Sequence, residues 1–399
     1  MNCIKANKRP MTYDFDKIIN RRGSNCVKWD EVEDPDVIPM WVADMDFETA
    51  SCIQQALMER MKHGCFGYTH VPESYYDATI NWFQRRHGWS IERSSFIYTS
   101  GVVPAISAII KATTSPRDKV LVQTPVYNCF FSSIRNNDCM LAESPLRIVN
   151  GRYEVDWDSF EQQCADPAVK VFLLCNPHNP TGRVWTKEEL TRIGNICRQH
   201  DVFVISDEIH CEFTMSGHTY TPFASISEDF SKNCAVCLSP SKAFNIAGLQ
   251  IANIIVKDAD IRKKVDKAIN INEVCDVNPF GVLALQEAYT LEGEAWLNEL
   301  CHYIEGNYQL AKQMLEEALP HCPVTTLEGT YLLWLDIRAT GKTSLQVADH
   351  LMQHHKVYVN PGTLYGQLAG EGYIRINLAT RRSLVKEGIQ RVINGVSSC

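Results

Sequence analysis

A lysine held out of water is a chemical group rather than a surface charge, and Lys242 sits where that is expected. It lies in the turn Ser239-Pro240-Ser241-Lys242-Ala243-Phe244-Asn245-Ile246-Ala247-Gly248. The flanking runs, 234–238 and 251–256, are short, apolar and partly β-branched, as expected of buried strands in a parallel sheet. Lys242 then falls just beyond a strand's carboxyl end, where open α/β sheets bind ligands. Among Phe244, Ile246 and Ala247 its amine is partly desolvated, which lowers its pKa and makes it nucleophilic toward an aldehyde.

Two further groups fall at predicted strand ends. Asn179 sits in Asn176-Pro177-His178-Asn179-Pro180-Thr181-Gly182, where two Asn-Pro steps make a rigid turn after the strand ending at Cys175. Asp207 directly follows the apolar run 202–206. An aldehyde-binding lysine, a carboxylate and an amide converging on one crevice are what pyridoxal 5′-phosphate (PLP) requires. The lysine forms a Schiff base, the carboxylate keeps the pyridine nitrogen protonated, and the amide steadies the phenolic oxygen. Ser100-Gly101 opens a helical pattern, so its backbone N–H groups and the helix dipole offer a phosphate site. The ring of Tyr127 is placed to stack on the cofactor.

These residues need a scaffold that brings strand ends together. Strand-like runs at 119–123, 171–175, 202–206, 235–238 and 251–256 alternate with helical stretches, which implies a parallel sheet covered by helices. Helices are expected over 51–62 and 102–112, and another starts at Thr186, where Thr186 and Glu189 form a capping box. From about residue 278 the pattern becomes long helical segments to Ala318. Two more strands, at 331–337 and 373–378, and a closing helix from Ser383 follow. The fold class is α/β, with an N-terminal arm (1–48) joining a smaller C-terminal α/β domain (281–399) and a large domain (49–280) carrying a mostly parallel sheet.

Composition narrows the function. A chain of 399 residues with 45% hydrophobic content can bury large cores, and a net charge of −8 without a basic stripe argues against nucleic acid. Residues 1–10 lack the apolar core of a signal peptide and no run is long enough to cross a bilayer, so a cytoplasmic protein is expected. The 16 cysteines lie mostly in apolar segments, as reduced thiols do. Cys234 and Cys237 form a C-x-x-C pair, but residues three apart on a strand point to opposite faces, so core packing is expected rather than metal.

The stretches Tyr13-Asp14-Phe15-Asp16, Trp41-Val42-Ala43-Asp44-Met45-Asp46-Phe47 and Tyr373-Ile374-Arg375-Ile376-Asn377-Leu378, together with the lysine turn, carry a resemblance over nearly the whole chain. The chain resembles fold type I PLP enzymes of the aspartate aminotransferase superfamily, and within them the MalY/PatB-type cystathionine β-lyases, or C–S lyases. The resemblance implies Lys242 as Schiff-base lysine, Asp207 as pyridinium partner and Asn179 at the phenolic oxygen. It also implies Ser239, Ser100, Gly101 and Val102 at the phosphate, with Tyr68 reaching it from the other subunit of a homodimer. Tyr127 would stack on the ring, and Arg375 would bind the substrate α-carboxylate bidentately. His210 stands where many aminotransferases carry tyrosine, and Gly248-Leu249-Gln250 replaces their Gly-x-Arg step. Both departures resemble the lyase group, with His210 contacting the cofactor. The implied reaction is β-elimination on L-cystathionine or L-cysteine to pyruvate, ammonia and a thiol, with Lys242 moving the Cα proton and Lys242 or Tyr127 assisting the departing sulfur. The alternatives are an L-amino-acid aminotransferase and a PLP-binding interaction scaffold. No metal is expected.

Overall fold

The computed structural model describes residues 13–271 and 276–399. The expectation drawn from residues 1–10 therefore lies outside the described residues. A seven-stranded sheet forms the centre, in the order Phe96–Thr99, Ala252–Ile255, Cys234–Leu238, Phe203–Asp207, Val169–Cys175, Lys119–Val122, Met140–Glu143. Five neighbouring strands from Cys234–Leu238 to Met140–Glu143 pair in parallel.

Ala252–Ile255 departs from the expected parallel direction. It pairs antiparallel with both Cys234–Leu238 and Phe96–Thr99. A parallel return needs a crossover, usually a helix of a dozen or more residues, and the lysine turn contains only the short 3-10 helix Ala247–Leu249. The chain therefore doubles back beside the strand it has just left. The other strands still direct their carboxyl ends to one edge.

Alternation along the strands sorts side chains into two apolar layers. Cys234, Val236 and Leu238 pack on one face of the sheet, and Ala235 and Cys237 on the other. The C-x-x-C pair is thus divided between the layers, as the period of two demands. Helices Val102–Thr113, Cys129–Asn136 and Ala259–Asn270 contribute to the second layer. The helix Lys187–Gln199 covers the opposite face, and its Thr186–Glu189 capping box is formed in both directions.

Beyond the helices Pro279–Ala288 and Leu291–Ala318, a three-stranded antiparallel sheet runs in the order Leu332–Asp336, Tyr373–Asn377, Asn360–Pro361. The N-terminal segment reaches this part of the chain, where Ile38–Pro39 pairs in parallel with Val357–Tyr358. Buried Asp46 anchors the same segment by accepting from Lys28 Nζ at 2.9 Å, Arg21 Nη1 at 2.7 Å and Trp29 Nε1 at 2.8 Å. A paired and fully hydrogen-bonded carboxylate of this kind is the form in which charge survives burial. The same segment touches the lysine turn, where Met45 N donates to Asn245 Oδ1 at 3.1 Å and the Ala43 carbonyl accepts from Lys242 Nζ. Among the described residues no helix is long and apolar enough to cross a membrane.

Candidate active site

The strand ends open on a cavity of about 380 Å³ whose wall includes Lys242, Asp207, Asn179, His210, Tyr127 and Arg375. Gly101 and Val102 line it as well. Each catalytic candidate arrives by a different route. Asp207 is the last residue of Phe203–Asp207, Asn179 follows Val169–Cys175, Lys242 follows Cys234–Leu238, and Arg375 is the middle residue of Tyr373–Asn377 in the other sheet.

Burial sets the charge states. The Lys242 amine donates to the Ala43 carbonyl at 2.5 Å. Desolvation pushes its pKa down to about 8, helped by the Arg375 cation and opposed by Asp44 and Asp207. Asp207 is 3% exposed, and its carboxyl is pushed up to about 7 by desolvation. The Ile209 N–H at 3.1 Å and the Lys242 cation offset this only in part. His210 is driven well below the usual imidazole range, first by burial and then by the Lys242 and Arg375 cations, so it is neutral. Burial likewise holds the Tyr127 phenol protonated.

Arg375 is buried yet held at two corners, with Nη1 donating to Asn179 Oδ1 at 3.1 Å and Nη2 to the Trp41 carbonyl at 2.7 Å. Among the described residues its Nε has no partner, and neither has His210 Nδ1. Buried donors and acceptors left open in this way ask for a ligand. The expected anion end is the amino terminus of Val102–Thr113, capped by Gly101 in extended backbone with its first N–H groups open.

Three expected contacts lie off the cavity wall. The Ser239 hydroxyl donates to the Ile251 carbonyl at 2.5 Å and accepts from the Ser241 N–H at 3.1 Å, so it closes the lysine turn. Ser241 lines the cavity. Ser100 is exposed beside it, and Tyr68 is 95% exposed on the surface of this chain, away from its own cavity. Gln250 is also exposed.

This donor set fits PLP. A buried carboxylate accepting from the Ile209 backbone N–H suits a pyridinium nitrogen, a depressed lysine suits an aldehyde, and an open helix terminus suits a phosphate. The family model "Aminotransferase class I and II" matches residues 35–392. The chain belongs to this family. It is 40% identical to cystathionine beta-lyase PatB of Bacillus subtilis over 95% of this chain and 98% of that one. A PLP-bound putative aminotransferase from Clostridium difficile superposes with a TM-score of 0.93 at 42% identity, covering 96% of this chain and 100% of that one. The PLP-bound C-S lyase from Staphylococcus hominis gives 0.90 at 34% identity, covering 96% and 99%. Within the family the chain is of the MalY/PatB type, and its cofactor is PLP.

For this aminotransferase-family chain, residue-by-residue reading missed part of the wall. Trp41, Ala43, Cys129, Asn360 and Tyr365 all line the cavity. Trp41 and Ala43 contribute backbone carbonyls, which no residue type announces. Tyr365 did carry a signal, because Gly362-Thr363-Leu364-Tyr365-Gly366 has the glycine spacing of a tight turn beside a predicted strand. A methyl group on Gly362 would run into the Gly370 carbonyl, so the turn closes only with glycine there.

Proposed function

We propose that Lys242, Asp207, Asn179, Tyr127 and Arg375 carry out PLP-dependent C–S β-lyase chemistry on a small sulfur-containing L-amino acid. The observation that supports this most is a depressed lysine and a raised carboxyl on the same cavity wall as a buried arginine with an open Nε. PLP, when bound, supplies an aldehyde for the substrate amine and a ring that accepts the electron pair left at Cα. The chain's own groups do the rest. Arg375 holds the α-carboxylate, and Asn179 steadies the guanidinium through Nη1. Asp207 offers its carboxylate to the ring nitrogen, and Tyr127 and Val102 line the same cavity.

Lys242, with a pKa near 8, is in part a free amine at neutral pH and takes the Cα proton. The Ala43 carbonyl receives its ammonium form at 2.5 Å. The sulfur leaves from Cβ as a thiol, with Lys242 or Tyr127 as the proton donor, and the remaining three-carbon fragment hydrolyses to pyruvate and ammonia. The PatB relative bears the name cystathionine beta-lyase, so L-cystathionine and L-cysteine are the first substrates to test. Incubation of the holoenzyme with either, in the absence of any keto acid, should release pyruvate catalytically. A single turnover that stops with the cofactor aminated would instead mark an aminotransferase. Lys242→Ala should lose activity by at least the 10²- to 10⁴-fold typical of proton transfer, on the order of magnitude, together with the visible absorption of the lysine-bound cofactor.

A homodimer is part of this reading, with Tyr68 serving the partner subunit's phosphate site. Its exposure on 64–68, next to exposed Phe66, Met58 and Met61, supports it. The arm (1–48) and residues 281–399 are assigned to a small domain and 49–280 to the PLP-binding domain. A cytoplasmic location goes with the reduced-thiol pattern.

A further inference from the structure

Arg375 is the meeting point of three separate stretches of chain. Asn179 comes from the large sheet, Trp41 from the N-terminal segment, and the third contact is the ring of Tyr365, whose centroid lies 4.7 Å from the guanidinium carbon. One side chain ties two of these together. Asn360 Nδ2 donates to the Trp41 carbonyl at 3.0 Å and to the Tyr365 hydroxyl at 2.9 Å. Asn360 is also the cross-strand partner of Arg375, so its place beside the guanidinium is set by sheet register. Asn360, Tyr365 and Arg375 are all buried, at 8%, 1% and 3% exposure. The Tyr365 carbonyl accepts from Val126 N at 2.7 Å, which links this cradle to the segment presenting Tyr127.

We infer that Asn360 and Tyr365 are positioning residues that hold the Arg375 guanidinium in the orientation needed for the substrate carboxylate. A long flexible cation pays rotamer entropy whenever it must adopt one pose. The cradle removes that cost before substrate arrives: the amide locks the tyrosine ring by its hydroxyl, the ring supports one face of the guanidinium, and the amide and the guanidinium share one carbonyl acceptor. The inference rests on Arg375 being the carboxylate site, and the experiment separates the two ideas.

Holoenzyme of the wild type, Asn360→Ala, Tyr365→Leu, Tyr365→Phe and Arg375→Ala is titrated with L-alanine and with L-alaninamide, following the cofactor's visible spectrum. Neither ligand has a leaving group, and they differ in the carboxylate alone. The wild type should prefer L-alanine, and Arg375→Ala should abolish the preference. Asn360→Ala and Tyr365→Leu should weaken L-alanine by about tenfold, the scale of a hydrogen bond to a charged group, and leave L-alaninamide where it was. Tyr365→Phe, which keeps the ring but frees it from the amide, should fall between. With a cleavable substrate the same variants should raise KM more than they lower kcat. An unchanged preference in Asn360→Ala and in both Tyr365 variants, beside a lost one in Arg375→Ala, overturns the positioning role. An unchanged preference in Arg375→Ala removes the carboxylate assignment and the inference with it. Should Asn360→Ala fail to fold, the Tyr365 pair decides.

Discussion

Replacing Asp207 with asparagine should stabilise the cofactor-free chain while destroying its chemistry. Asp207 is buried, and its carboxyl is raised from the ordinary 3.8 to about 7, chiefly by desolvation. That displacement makes its ionised form about 4 kcal/mol more costly in the folded chain than in the unfolded one, at about 1.36 kcal/mol per pH unit. Well below pH 3.8 the carboxyl is protonated in both states and burial carries no such cost. As pH rises from 4 to 7 the unfolded chain gives up its proton first, so the wild type loses stability, and above about 7 the whole penalty stands. Asparagine has the same shape, accepts the Ile209 N–H in the same way, and never ionises. Paired urea denaturations of wild type and Asp207→Asn without PLP, run from pH 4 to 8, should give a stability difference that grows in favour of the variant toward about 4 kcal/mol. Added PLP should narrow the difference at pH 8, because a protonated ring nitrogen supplies the cation that the buried carboxylate lacks. A difference that stays flat across this range, or a variant less stable than the wild type at pH 8, refutes the burial argument.

Glu328→Ala should cost about 3 kcal/mol, the low end for breaking a buried ion pair, because Arg183 loses its 2.8 Å partner but keeps Glu189 at 2.7 Å. Thermal or urea unfolding measures this, and a cost below about 1 kcal/mol would mean the pair behaves as a surface one. Sedimentation should give twice the 45.3 kDa chain mass, and Tyr68→Phe should weaken PLP retention without separating the subunits. A monomeric mass would remove Tyr68 from the site.

Much of the site was legible because its chemistry depends on side-chain type at strand ends. Lys242, Asp207 and Asn179 each follow an apolar run, and a run of that kind ends at the sheet edge whatever its neighbours are. The Thr186–Glu189 cap and the division of Cys234 from Cys237 were legible for the same reason, since both follow from local periodicity. Which serine of the lysine turn lines the cavity was not. Two serines two residues apart have the same donors, and the choice depends on which hydroxyl the Ile251 carbonyl captures when the chain reverses.

Residue order alone determined the cofactor chemistry, the strand-and-helix alternation and the family, because these rest on side-chain identity and local period. Only the tertiary structure decided the antiparallel course of Ala252–Ile255, the pKa values near 8 and 7 of Lys242 and Asp207, and the cradle around Arg375. Strand direction depends on which edge is free when the turn closes, and desolvation depends on everything that packs around a group. The cradle takes its acceptor from a backbone carbonyl 334 residues away from the arginine it holds. Every residue carries such a carbonyl, so its role is assigned by where the chain passes and by nothing in its side chain.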